Sequence, residues 1–155
     1  MDVAKIERRA AKVGLHCYPL RSPRAANRGF ALVDPMPTGG TLLSAIQAQL
    51  AAHGPEYKPH ALFTARWCEP CRALVELFSA PALQAILNGC LLIMFDFDVW
   101  GDEYESVEMH VRSVSCIAQL CQDGKTSSRI VSGDAWEEDT IANVVKALGP
   151  FFAST

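Results

Sequence analysis

Two cysteines separated by two residues, Cys68 and Cys71 in Trp67-Cys68-Glu69-Pro70-Cys71-Arg72, have the spacing of a dithiol that can close and reopen a disulfide. They follow an apolar run, His60 to Ala65, and precede Leu74, Leu77 and Phe78 at helical spacing, so the segment reads as strand, turn and helix. A sulfur at such a junction stands at the helix N-terminus, where unpaired amides and the macrodipole stabilise a thiolate. Cys68 is that sulfur. Cys71 lies one turn on and reaches back over the helix start, which makes it the resolving thiol. Pro70 falls in the first turn, where a missing amide proton costs little.

The other reactive side chains are less well placed for chemistry. His16, His53, His60 and His110 show no metal-ligand spacing with each other or with the cysteines, whereas zinc usually takes a second close ligand pair. Cys116 and Cys121 are five apart, on opposite faces of one strand, and so cannot pair there. Cys116 reads as a small buried core cysteine, the alternative being a third thiol or ligand near Cys68; Cys17 and Cys90 read as packing. Trp100 and Trp136 read as core or surface aromatics, and no phosphate loop, nucleotide fingerprint or serine-histidine triad is present.

The elements that must hold the cysteine pair can be followed along the chain. Ala4 to Val13 reads as a short basic helix ended by Gly14, followed by short strands near Leu15 to Leu20 and Phe30 to Asp34. Leu42, Leu43, Ile46 and Leu50 recur at helical spacing up to Gly54-Pro55. Pro81 kinks or restarts the helix after the cysteines, and Cys90 to Phe97 is apolar on both faces, as a central parallel strand is. Val114 to Cys121 and Thr126 to Ser132 flank an Asp123-Gly124 turn and predict an antiparallel hairpin. Asp134 with Glu137 reads as a capping box for a last helix carrying Ile141, Val144, Val145 and Leu148, ended by Gly149-Pro150. From His60 onward the order is strand, helix, strand, helix, strand, strand, helix: an α/β fold with a central mixed sheet flanked by helices.

The hexapeptide Trp67 to Arg72 resembles the active-site signature of thioredoxins, differing at the first residue between the cysteines, and the element order agrees. The resemblance covers roughly residues 41–150, including the Asp96-Phe97-Asp98 strand end, the Asp123-Gly124-Lys125 hairpin and Ser132-Gly133. It implies a thioredoxin-like fold over 41–155 behind a basic N-terminal extension at 1–40. It further implies catalysis by Cys68 and Cys71, with Trp67, Pro70, Val114 and Ser115 at the substrate-binding surface and no bound cofactor. Cys68 would attack a substrate disulfide and Cys71 would resolve the mixed disulfide. Glu69, if close, would oppose the thiolate and favour the reducing end.

Two positions depart from that family's pattern. Ser115 stands where thioredoxins carry a cis-proline opposite the cysteines; a cis bond before serine costs about 2.5 to 4 kcal/mol, so a trans peptide is expected there. Within the family, loss of this proline goes with metal or iron-sulfur ligation, so a cluster shared between two subunits is an alternative. Leu62 replaces the buried aspartate that helps deprotonate the resolving cysteine, and Met94 replaces the lysine that partners it. Proton transfer would then fall to Glu69, Glu76 or water.

Composition sets the outer bounds. At 155 residues with 50% hydrophobic side chains, the chain can build a real core, and its longest apolar run, Cys90 to Phe95, is far short of the roughly 20 residues that cross a bilayer. Six cysteines are too sparse for a disulfide scaffold, and Met1 to Arg21 shows no secretory pattern, so a reducing, cytoplasmic setting is expected. Residues 1–30 hold seven basic and two acidic side chains, a local charge of +5 within a net charge of −3. The acidic stretch from Asp96 to Glu108 reads as solvated surface, the alternative being that the basic arm folds back onto it or meets an anionic partner. The expected partners are protein disulfides and an upstream thiol reductant, with no nucleic acid and no membrane. The competing function is a binding or regulatory module with little turnover.

Overall fold

The computed structural model describes residues 16–20, 29–35, 39–101, 103 and 114–153, the first of these segments by its backbone. The basic helix expected at Ala4 to Val13, Arg8, Arg9, Arg21, Arg24 and Arg28 of the basic arm, and Asp102, Glu105 and Glu108 of the acidic stretch lie outside these residues.

Among the described residues, six strands form one sheet in the order β1-β2-β4-β3-β5-β6. The strands are β1 (His16–Leu20), β2 (Phe30–Asp34), β3 (Lys58–Thr64), β4 (Cys90–Asp96), β5 (Cys116–Leu120) and β6 (Thr126–Ser132). The β2, β4 and β3 strands run parallel, and β1, β5 and β6 pair antiparallel with their neighbours. The expected mixed sheet is therefore present. Cys90 to Asp96, apolar on both faces, is hydrogen-bonded on both sides as the sequence predicts for a central strand.

Among the described residues, five helices accompany the strands: α1 (Leu42–His53), α2 (Glu69–Leu77), α3 (Pro81–Ile86), α4 (Phe97–Trp100) and α5 (Ile141–Ala153). Period-two alternation divides the core between the sheet faces. Ala31, Val33, Ala61, Phe63, Ile93 and Phe95 pack with Leu42 and Ile46 of α1 on one face. Phe30, Leu32, Leu62 and Leu92 pack on the other, under Leu74 of α2, Leu83 of α3 and Val144, Leu148 and Phe152 of α5. Thr41 opens α1 by accepting a hydrogen bond from the Ser44 amide, and Pro81 starts α3 at its first turn.

The strand at Phe30–Asp34 lies within the segment the sequence groups with the N-terminal extension, yet its side chains belong to both core clusters. Its partner β1 forms the sheet edge. Two expectations about the last helix are corrected. Asp134 does not cap it: Gly133–Ala135 turn as a short 3-10 segment, Trp136 is buried with its indole N–H donating to Asp139 Oδ1 at 3.0 Å, and the helix begins only at Ile141. The cap is Thr140, whose hydroxyl accepts from the Asn143 amide at 3.3 Å. Nor does Pro150 end the helix, which runs on to Ala153. A proline here forfeits one backbone hydrogen bond. Compensation comes from Phe152, buried against His60 at 4.8 Å between ring centres, and from Arg129, which donates to the Phe151 carbonyl at 2.7 Å.

Candidate active site

β3 ends at Thr64, and four residues later the chain turns into α2. The Cys68 amide donates to the Ala65 carbonyl at 3.1 Å, closing the turn, and Cys68 keeps extended backbone angles (φ −84°, ψ 108°) as the residue capping α2. Its Sγ accepts from the Cys71 amide at 3.3 Å. The side chain at the position of greatest positive helix potential is thus the first cysteine, as its spacing predicts. Cys68 and Cys71 form a disulfide with their Cα atoms 5.3 Å apart. The two sulfurs are not equivalent: Cys68 is 8% exposed and Cys71 only 1%.

Trp67 is 63% exposed beside the pair, and its indole N–H donates to Asp98 Oδ1 at 3.1 Å. Asp98 is held in turn by its amide's bond to Asp96 Oδ1, and Asp96 also accepts the Arg66 guanidinium at 3.2 Å. The end of β4 therefore fixes the orientation of Trp67. Opposite, Val114 packs on Ala65, Cys68 and Cys71. Ser115 donates its amide to the Phe63 carbonyl and accepts from the Gly133 amide, both at 2.8 Å. Its peptide bond is trans, as expected, and its φ of 64° is left-handed. Ser115 is 3% exposed, and its Oγ has no hydrogen-bond partner.

Two cavities flank the disulfide. One of about 330 Å³ touches Cys68, Pro70, Val114 and Ser115 and is rimmed by Asp134, Glu137 and Asp139. The other, about 320 Å³, touches Cys71 and is edged by Asp34, Arg66, Arg72, Glu76 and Asp96. The structure thus gathers Trp67, Cys68, Pro70, Cys71, Val114 and Ser115 in one place. Leu62 and Met94 lie in the apolar cluster beneath α2, so no carboxylate stands at either position. Glu76 lines the Cys71 cavity; Glu69 is exposed at the start of α2 and does not.

Several site residues escape the sequence-based reading. Asp34 is missed because its strand is set apart with the extension, although Phe30, Leu32 and Asp34 alternate onto the α2 face. Asp134 and Glu137 are assigned to a helix cap but form a cavity rim. Cys116 sits in the α1-side core, and burial pushes its thiol up to about 11; Cys90 is pushed to about 11 the same way. Both behave as packing cysteines. Among the described residues no group of three or more His, Cys, Asp or Glu side chains is placed to hold one metal ion, and no helix is long and apolar enough to cross a membrane.

No family model matches the chain, and no curated protein matches it in sequence. Solved structures do match. A disulphide isomerase from Xylella fastidiosa Temecula1 is 19% identical at a TM-score of 0.54, over 77% of this chain and 95% of that one. A reduced thioredoxin pre-protein from Schistosoma mansoni is 19% identical over 77% of this chain and 97% of that one, with a TM-score of 0.49. Trxlp from Edwardsiella tarda EIB202 is 18% identical over 76% and 97%, with a TM-score of 0.44. The chain has the thioredoxin-like fold, and it carries a Cys-Glu-Pro-Cys pair at disulfide distance where β3 meets α2.

Proposed function

We propose that the protein is a thiol-disulfide oxidoreductase that reduces or exchanges protein disulfides in a reducing, cytoplasmic setting. The observation that carries this is the asymmetry of the pair: Cys68, at the helix N-terminus, is the more exposed residue, and Cys71 is almost fully buried. In the reduced protein the Cys68 thiolate attacks one sulfur of a substrate disulfide. That bond breaks, one substrate sulfur leaves as thiolate and takes a proton from water, and a mixed disulfide forms on Cys68. The Cys71 thiol loses its proton and attacks Cys68 Sγ, which releases the second substrate thiolate. Two electrons pass from the dithiol to the substrate, and the protein is left with the Cys68–Cys71 disulfide. An upstream dithiol reductant restores it.

With Leu62 and Met94 apolar, the proton on Cys71 leaves through the cavity that Cys71 borders, where Asp34, Glu76 and Asp96 supply carboxylate acceptors. Trp67 and Val114-Ser115 frame the approach to Cys68.

The test is an anaerobic titration against glutathione buffers, with alkylation and mass spectrometry reporting the pair, alongside disulfide reduction by Cys68→Ser and Cys71→Ser. A single two-electron midpoint between about −270 and −120 mV is expected. Cys68→Ser should abolish turnover, whereas Cys71→Ser should accumulate the mixed disulfide. A pair that stays unreactive, or turnover that survives Cys68→Ser, refutes the proposal.

A further inference from the structure

The cavity beside Cys68 has a chemical character that the cysteine pair does not account for. Its far wall is the turn from Gly133 to Asp139, which presents Asp134, Glu137 and Asp139, and no basic side chain lines it. Asp139 is engaged by the Trp136 indole. Among the described residues Asp134 and Glu137 have no salt-bridge partner, and both are exposed. The near wall holds Ser115, almost fully buried, with a hydroxyl that makes no hydrogen bond. A buried hydroxyl left without a partner is unfavourable unless something that enters the site supplies one. A polypeptide main chain laid along Val114-Ser115 brings such donors and acceptors.

Building on the oxidoreductase reading, we propose that this cavity seats the residues flanking the substrate cysteine and selects polypeptide disulfides with lysine or arginine beside that cysteine. The sulfur to be attacked must sit at Cys68, which borders the same cavity, so the neighbouring substrate side chain falls toward Asp134 and Glu137. A cation gains from both carboxylates, and an anion is opposed by both. Arginine can engage a carboxylate through two parallel N–H donors, and lysine acts as a point charge.

The experiment uses the full-length reduced protein and three model peptide disulfides, identical except for Lys, Gln or Glu next to the attacked cysteine. The readout is kcat/KM for each. Exposed carboxylates of this kind should favour the Lys peptide over the Glu peptide by about five- to tenfold at low salt. The preference should fall toward unity near 1 M salt, where screening acts over about 3 Å. Asp134→Asn with Glu137→Gln should bring the Lys-to-Glu ratio to within about twofold of unity, and Glu137→Lys alone should shift the preference toward the Glu peptide. Equal turnover of all three peptides, or a preference that survives the neutralising variant, overturns the proposal and leaves the oxidoreductase reading standing. Turnover of none of them, by protein whose Cys68 is reduced, removes the oxidoreductase reading and the proposal with it.

Discussion

Burying His60 should make stability pH-dependent within a narrow window. His60 sits on β3, fully buried, with Nδ1 3.0 Å from the Lys58 carbonyl and Nε2 without a partner. Phe151 and Phe152 cover its ring at 5.9 and 4.8 Å. Removal from water lowers its pKa from 6.5 to about 4; the Lys58 carbonyl bond opposes the shift, and the charges of Lys58 and Arg129 add to it. Because the folded value is depressed, the unfolded chain takes up a proton below pH 6.5 that the native protein refuses until about pH 4. Stability is therefore fully present above pH 6.5 and declines as pH falls toward 4. At 1.36 kcal/mol per unit the full loss is about 3.4 kcal/mol, of which about 2.5 falls between pH 7.5 and 4.5. Against a typical domain stability of about 5 to 15 kcal/mol, that is a large share. Urea unfolding of the oxidised protein, followed through the buried Trp100 and Trp136 at half-unit pH steps, measures it. His60→Leu removes the titration while keeping an apolar side chain, so its stability should decline by about 2.5 kcal/mol less over the same range. Parallel curves for the two proteins refute the reasoning.

Two further predictions rest on local backbone geometry. At Ser115, φ is 64° and the amide is bonded to Phe63, so Ser115→Pro cannot keep the ring's φ near −65° without losing both. It should cost about 3 kcal/mol or more, whereas Ser115→Gly should be neutral or stabilising by up to about 1 kcal/mol; thermal unfolding of both variants checks the pair. Because Thr140 caps α5, Thr140→Ala should cost about 1 kcal/mol by chemical denaturation, and Asp134→Ala should cost no cap energy at all.

The cysteine pair and its setting were legible because each signal is local. An apolar run, two cysteines and a helical repeat lie within about twenty residues, and one helix turn brings Cys71 to Cys68 whatever the rest of the chain does. The β5–β6 hairpin was legible for the same reason: Gly124, with φ of 88°, supplies the turn that its position after Asp123 announces. What escaped was set at long range. β2 is five residues followed by prolines and glycines, and only its pairing with β4, some sixty residues on, places Phe30 and Leu32 in the core and Asp34 beside Cys71. The start of α5 was misplaced because Asp134 and Glu137 satisfy a capping pattern, but burial of the Trp136 indole outweighs that preference and delays the helix to Ile141. Pro150 deceives in the same way, since tertiary contacts of Phe151 and Phe152 carry the helix past it.

The two replaced positions, Ser115 and Leu62, act on opposite sides of one disulfide. Ser115 lies on the Cys68 side, where its left-handed backbone presents Val114 to the sulfurs and leaves a buried hydroxyl beside the acid-rimmed cavity. Leu62 lies beneath α2 with Leu74 and Met94, so an apolar layer replaces any buried charge under Cys71. A carboxylate there would need a partner to offset desolvation, and with a methionine at 94 that partner is missing; the two apolar residues are a consistent pair. Asp34, Glu76 and Asp96 stand instead along the cavity that Cys71 borders. On the proposed oxidoreductase reading, substrate would arrive at Cys68 and the Cys71 proton would depart through separate cavities, so that a change on one side would alter one step without disabling the other.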